Sequence, residues 1–311
     1  MPIFRIHHVT KYSYDKPVKE SMNEVRIFPF QCAEQEVLQH DLVITDQPDV
    51  LKFTDYWGNK TGIFNLLLPH KVLTIESRLL VRTTASSQLK INFHSGLDEL
   101  ASEMDHNLQL LELASPDRIA SQSEINDIAR VIKSTGNEVA TLVEKCCEYI
   151  FKNFKYIKGI TNIETTVDEI LVHRAGVCQD FAHLMLHILR TIGVPCRYVS
   201  GYICPNKSGM RGEGATHAWV EAYIPGFGWA GIDPTNNVWV TNKHVKLSVG
   251  RYFQDCSPIK GTFKGAGRQL LSVFVSVGYE DGQFFEELNN VHLAGEREKV
   301  EDPLEGAFAG Q

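Results

Sequence analysis

Between Phe4 and Tyr14 apolar and polar side chains alternate, with Phe4, Ile6, Tyr12 and Tyr14 on one face and Arg5, His7, Lys11 and Ser13 on the other. That period of two belongs to a half-buried strand. Beyond Ser86 it gives way to the longer period of helices. This switch constrains the fold most: a strand-rich unit must be followed by a mixed one. Further strands are expected over residues 23–28, 37–44 and 72–83, and on both sides of the turn-like Trp57-Gly58-Asn59-Lys60, with Pro17 closing the first run. Six or so strands in about 85 residues, with no helical pattern between them, predict an antiparallel β-sandwich over residues 1–88.

In the second part Ser121-x-x-Glu124 reads as a capping box ahead of Ile125, Ile128, Ala129 and Ile132. Asn137 can cap the next helix, whose stripe runs Val139, Leu142, Val143, Cys146, Tyr149 and Ile150. Cys146 is thus a packing residue, and Cys147 falls on the more exposed side.

The chemistry gathers around Cys178. Phe181, Ala182, Met185, Ile188, Leu189 and Ile192 form one apolar stripe ended by Gly193, and Cys178 lies on it one turn before Phe181. Gly176 just ahead permits a close backbone approach. A thiol in the first turn sits at the positive end of the helix dipole, where a thiolate is favoured. A partner appears 39 residues on. His217, Trp219, Glu221 and Tyr223 share one face of a strand, Pro225-Gly226-Phe227-Gly228 is a turn, and residues 229–233 return as a second strand stopped by Pro234. If the loop is odd, Tyr223 pairs with Trp229 and Asp233 lies diagonal to His217 on the same face; an even loop would put Asp233 on the other face. A carboxylate beside an imidazole fixes its tautomer and stabilises the imidazolium, which in turn holds a thiolate.

These residues resemble a known family. The runs Gly176-Val177-Cys178-Gln179-Asp180-Phe181-Ala182 and Gly193-Val194-Pro195-Cys196-Arg197-Tyr198 look like the core of the transglutaminase-like superfamily. So do His217-Ala218-Trp219-Val220-Glu221, Gly228-Trp229 and Asp233-Pro234-Thr235. The opening His8-x-Thr10-x-Tyr12-x-Tyr14-x-x-Pro17-Val18 is similar to the N-terminal region of bacterial members regarded as cysteine proteases. The resemblance implies an α+β chain: the N-terminal sandwich, then a papain-like core in which a helix bearing Cys packs on an antiparallel sheet bearing His and Asp. It implies Cys178 as nucleophile, His217 as general base and later acid, and Asp233 as the residue orienting His217. The reaction would be attack on an amide carbonyl through a thioester, completed by water in a cysteine protease or amidase, or by an amine in a transglutaminase. A non-catalytic binding module is the third reading. The Cys178 N–H is the expected oxyanion donor, and Tyr156 is the candidate for the second, aromatic donor that the family supplies upstream of its Cys.

Other residues receive simpler readings. His183 and His187 could share a metal but lie off the apolar stripe with no third ligand, so solvated surface is expected. Asp180 complements the helix dipole, with a substrate-side role as the alternative. Trp219 either walls the cleft or fills the interface with the helix, and Cys196 and Cys204 pack around a strand over residues 197–203. A closing strand is expected at Gln269–Tyr279, ending the catalytic unit of residues 89–280, and residues 281–311 read as a polar tail with at most one short element.

With 31 Lys plus Arg against 38 Asp plus Glu, the net charge of −7 argues against nucleic acid as a partner. No run approaches the roughly 18 apolar residues of a membrane span. Seven cysteines, an odd number in a chain whose start lacks a secretory pattern, point to reduced thiols and the cytoplasm. No Asp-x-Asp-x-Asp-Gly loop calls for calcium, so no cofactor or metal is expected. The expected partner is a peptide, a protein or an amide-containing polymer.

Overall fold

The computed structural model describes residues 1–84, 91–204, 210–211 and 216–280, and the backbone of residues 284–291. Six strands form the first part: β1 (Ile3–Val18), β2 (Glu20–Val25), β3 (Gln35–Ile44), β4 (Leu51–Thr54), β5 (Lys60–Leu66) and β6 (His70–Thr83). Helices α1 (Leu97–Met104), α2 (Leu108–Ala114), α3 (Gln122–Lys133) and α4 (Val139–Asn153) follow, then β7 (Lys155–Tyr156), α5 (Val167–His173), β8 (Ala175–Gly176) and α6 (Cys178–Ile192). The chain continues through β9 (Cys196–Ile203), β10 (Thr216–Ile224), β11 (Gly228–Asp233), β12 (Val238–Trp239), β13 (His244–Gly250), α7 (Phe253–Cys256), β14 (Ile259–Lys264), β15 (Gln269–Tyr279) and β16 (Phe284–Val291).

β1 does not stop at Pro17 but runs through it to Val18. This position has left the continuous β1–β6 ladder, where the register shifts between Ser13 and Val18, so the missing N–H breaks no regular rung. Two sheets, β16-β15-β1-β6-β3 and β14-β2-β5-β4, enclose a core of Val25, Phe28, Phe64, Leu66, Leu73 and Ile75. The closing strands thus return to the beginning of the chain. Phe4 pairs with Tyr279 and Val25 with Ile259, because the alternating apolar faces of β1 and β2 each have an edge that only a later strand covers. β16 extends the first sheet beyond β15.

The second part is built on an antiparallel sheet of order β12-β11-β10-β9-β13. Ala218, Val220 and Ala222 of β10 and Ala230 and Ile232 of β11 face α6, meeting Phe181, Ala182, Met185 and Leu189. The opposite face of this sheet meets the sandwich: Tyr202 and Val245 pack against Phe4, Ile6, Leu79 and Val81. β13 is one edge of this sheet, and the N-terminal part covers it and satisfies its free backbone groups. Asn59 donates to the Val249 carbonyl at 2.7 Å and accepts the Val249 N–H at 2.8 Å, while Gln35 does the same for Lys246 at 2.8 and 2.9 Å.

α6 is covered on its far side by α3, α4 and α5, so it is buried almost all round. This corrects two expectations. His187 is buried, and His183 accepts the Phe253 N–H at 3.3 Å instead of meeting solvent; burial lowers its pKa to about 4. Cys147 is likewise fully buried, its thiol donating to the Asp233 carbonyl, because α4 packs against both α6 and the β10–β11 strands. The capping box at Ser121 does not form: the Asp168 carboxylate of α5 accepts the Ser121 N–H at 2.6 Å, and Glu124 pairs with Arg174. The cap of α4 is Glu138, one residue after Asn137. Cys146, Cys196 and Cys204 are packing residues as expected. Among the described residues no helix is long and apolar enough to cross a membrane.

Arg190 ties the layers together. Its fully buried guanidinium donates to the carbonyls of Leu113 (3.2 Å), Cys196 (3.2 Å) and Arg251 (2.7 Å), pairs with Asp117, and lies over the Tyr252 ring. Arg190→Met keeps the length of the side chain but leaves three carbonyls and Asp117 short of donors. It is expected to lower unfolding free energy by about 3 kcal/mol, read as a reduced urea midpoint at constant slope.

Candidate active site

α6 starts at Cys178 because Val177 is held extended as its cap. The Val177 N–H donates to Asp180 Oδ2 at 2.7 Å, and the Thr161 hydroxyl donates to the same oxygen at 2.5 Å. Gly176 is required here, since a Cβ would come within 2.7 Å of the Asp180 side chain. Asp180 is therefore buried and engaged within the protein; burial raises its pKa against the pull of these bonds. Its substrate-side reading gives way to the capping one. β7 and β8 pair in parallel and put the half-buried Tyr156 beside Gly176, two residues from Cys178, with its ring edge-on to Phe181.

The β10–β11 hairpin has the odd-loop register: Tyr223 pairs with Trp229 and Val220 with Ile232. His217 and Asp233 thereby meet on one face, with His217 Nε2 2.8 Å from Asp233 Oδ2 and both side chains wholly buried. The other imidazole nitrogen, Nδ1, has no hydrogen-bond partner among the described residues, and Cys178 stands close enough to act on the ring. Burial alone would lower the His217 pKa. The charge of Asp233 and its hydrogen bond, joined by the nearby Cys178, overcome it and raise the value to about 10. Burial would raise the Asp233 pKa, but His217 and the surrounding donors hold it well below the ordinary carboxylate range.

Asp233 is held by more than His217. The Thr235 N–H donates to its Oδ1 at 2.9 Å and the Asn236 amide to its Oδ2 at 2.7 Å. A third ring, His244 at the start of β13, brings Nε2 to 3.4 Å from the same oxygen. Nothing in the local sequence around His244 signals this role, because β13 is joined to β10 only through β9. Asn236 could have been found from its place directly after Asp233-Pro234-Thr235.

The donor atoms of His217, Asp233 and His244 lie within 4.8 Å of one another, a spacing that could hold a metal ion. The Thr241 N–H, however, donates to His244 Nδ1 at 3.2 Å, so the ring proton sits on Nε2 and points at Asp233. A metal on that nitrogen would force a proton onto Nδ1 and set two N–H groups against each other. Burial keeps His244 neutral by lowering its pKa. The cluster suits proton-carrying nitrogens around one carboxylate better than a cation.

Trp219 is fully buried on the face away from α6, packed with Val199 and Val249. Gly201 makes room for it: a Cβ there would lie 2.6 Å from the indole and 2.2 Å from the Val245 carbonyl. The ring stands edge-on to His244 at 5.2 Å and 6.4 Å from His217, sealing the histidines from behind. It neither walls an open cleft nor fills the helix interface, because the alternation of β10 turns it toward the sandwich.

The family model of the transglutaminase-like superfamily core matches residues 126–234, which include Cys178, His217 and Asp233. That of the bacterial transglutaminase-like N-terminal region matches residues 4–82. An uncharacterized protein of Mycobacterium leprae is 31% identical over 285 residues, covering 88% of this chain and 97% of its own length. The chain belongs to the transglutaminase-like superfamily. A crystal structure from Cytophaga hutchinsonii, named a "Putative Cysteine Protease", shares the transglutaminase-like fold with a TM-score of 0.71 at 22% identity, covering 91% of this chain and 92% of that one. A Pseudomonas aeruginosa protein named protein-glutamine gamma-glutamyltransferase is 38% identical over 78 residues, 23% of this chain and 12% of its own.

The two shifts set the pH dependence of stability. The His217 pKa is raised from an unfolded value near 6.5 to about 10, so its contribution is complete below ~6.5 and is lost as pH rises toward 10. The Asp233 pKa is lowered, so its contribution is present above ~3.8 and is lost as pH falls below that. Melting temperature should fall between pH 6.5 and 10, and His217→Asn should flatten that alkaline limb; an unchanged limb in the variant would assign it to other groups.

Proposed function

We propose that this protein is a thiol acyl-transfer enzyme that hydrolyses amide or peptide bonds, with Cys178, His217 and Asp233 as its triad. The observation that carries this reading is the buried 2.8 Å contact between His217 Nε2 and Asp233, which leaves Nδ1 for the thiol at the start of α6. The Cys178 thiolate attacks the carbonyl carbon, and the tetrahedral oxyanion is met by the Cys178 N–H, one of the first-turn donors with no partner inside the helix. Tyr156, paired with Gly176 ahead of Cys178, is the candidate second donor. The C–N bond breaks as His217 Nδ1–H protonates the leaving amine, giving a thioester. His217, now neutral, takes a proton from water, the hydroxide oxygen adds to the thioester, and the acid leaves with the thiolate restored. Asp233 keeps the Nε2 proton in place throughout.

The substrate side is consistent with a peptide or protein. Ile157, Ile160 and Ile163 are exposed on the segment that Thr161 ties to Asp180 beside Cys178, an apolar edge that an extended chain could cover. The seven free cysteines fit a reducing, cytoplasmic setting. Amine transfer in place of hydrolysis is the second reading, favoured by the similarity to the Pseudomonas aeruginosa enzyme.

Limiting iodoacetamide at about pH 6, read by peptide mass, tests the triad, because an ordinary thiol is slow at that pH. Labelling should be fast, confined to Cys178 and lost in His217→Ala. Slow labelling spread over several cysteines would leave the fold as a binding module. A glutamine donor offered with a fluorescent primary amine then separates the two reactions: ammonia release without incorporation supports hydrolysis, and incorporation supports transfer.

A further inference from the structure

Behind the catalytic sheet, where it meets the N-terminal part, lies a cavity of about 230 Å³. Aromatic and aliphatic walls come from Phe30, Ile91, Trp219, Phe227 and Trp229, and none of Cys178, His217 or Asp233 lines it. An apolar cavity of roughly 150 Å³ holds a benzene ring, so this one has room for a ring and a polar substituent.

Two features of the wall are chemically incomplete. The Trp219 indole N–H is buried with no acceptor among the described residues, and it lies at the wall beside Gly231, where a Cβ would stand 3.4 Å from it. A buried N–H left unpaired is costly, and an acceptor on a bound molecule would recover that cost. The second feature is charge. Glu221 is the buried carboxylate of the cavity, and it answers two cations, Arg197 at 2.7 Å and Lys246. Both cations are about nine-tenths buried, and Phe30 covers them with Trp229 stacked on Arg197 at 4.3 Å. The other carboxylate, Glu34, is exposed at the rim and screened by water. Of the other titratable wall residues, His244 donates its ring proton to Asp233, and burial keeps the Cys32 thiol protonated by raising its pKa to about 11. One positive charge is therefore left over in a low-dielectric space.

We propose that this cavity is a binding site for a small monoanionic carboxylate with a planar apolar body, its oxygens taken by the Trp219 N–H and the Arg197–Lys246 pair and its body by the aromatic walls. The site is independent of the reaction at Cys178.

Benzoate, benzamide and benzylammonium serve as probes of equal shape and different charge. The chain has four tryptophans, so the indole N–H signals of ¹⁵N-labelled protein are few, and Trp57→Phe, Trp229→Phe and Trp239→Phe assign Trp219 by subtraction. Benzoate should move the Trp219 signal with millimolar saturation, benzamide about tenfold more weakly, and benzylammonium not at all. Lys246→Met leaves Glu221 paired with Arg197 and should erase the difference between benzoate and benzamide. Cys32→Phe fills the cavity while keeping every charge, and should abolish both responses. A Trp219 signal that stays still in about 10 mM benzoate, moves equally with all three probes, or moves unchanged in Cys32→Phe would overturn the assignment.

Discussion

A single buried carboxylate organises the second half of this protein. Asp233 is wholly enclosed, yet its two oxygens gather donors from β10, β13 and the turn after β11. A lone buried carboxylate would take up a proton. Here the concentration of N–H groups reverses that tendency and makes the imidazolium of His217 the stable partner. The strand order, the odd hairpin and the close approach at Gly201 can each be seen as conditions for bringing those donors to one point.

The N-terminal sandwich supports that point from behind. It pairs with the outer edge of β13 through Asn59 and Gln35, so β13 cannot drift and His244 stays at the carboxylate. It buries Trp219, which closes the rear of the histidine pair to water. His8, held at 2.8 Å by the Tyr202 hydroxyl and kept neutral by burial, adds a polar tie across the same interface.

Much of this was legible in the sequence where information is local. The alternation of residues 217–223 with an odd turn set the hairpin register, and the alternation of residues 269–279 marked β15 at its observed ends. The place of Cys178 at the start of α6 followed from one stripe and one glycine. What local pattern could not reveal was what lies on the far side of an element. α6 carries a clean stripe, yet three helices cover its other faces, so His187 looks exposed and is not, and Cys147 of α4 is likewise hidden by the strands it meets. Trp219 shares a face with His217, but which layer that face meets depends on the sandwich docking there. His244 reaches Asp233 only through a sheet order that no short window encodes. The partners of β14 and β15 lie more than 200 residues upstream, beyond any periodicity.

That last pairing bears on how the chain reaches its fold. β1 is made before both of its neighbours and is flanked by β6 early, but its other partner, β15, follows more than 200 residues later. During synthesis β1 must keep one open edge while the whole intervening α/β layer is produced. Long-range closure of this kind is slow, and an open edge invites pairing with other chains. Arg5 and Lys11 lie along that strand, and their charge on the nascent edge opposes association until the final strands arrive.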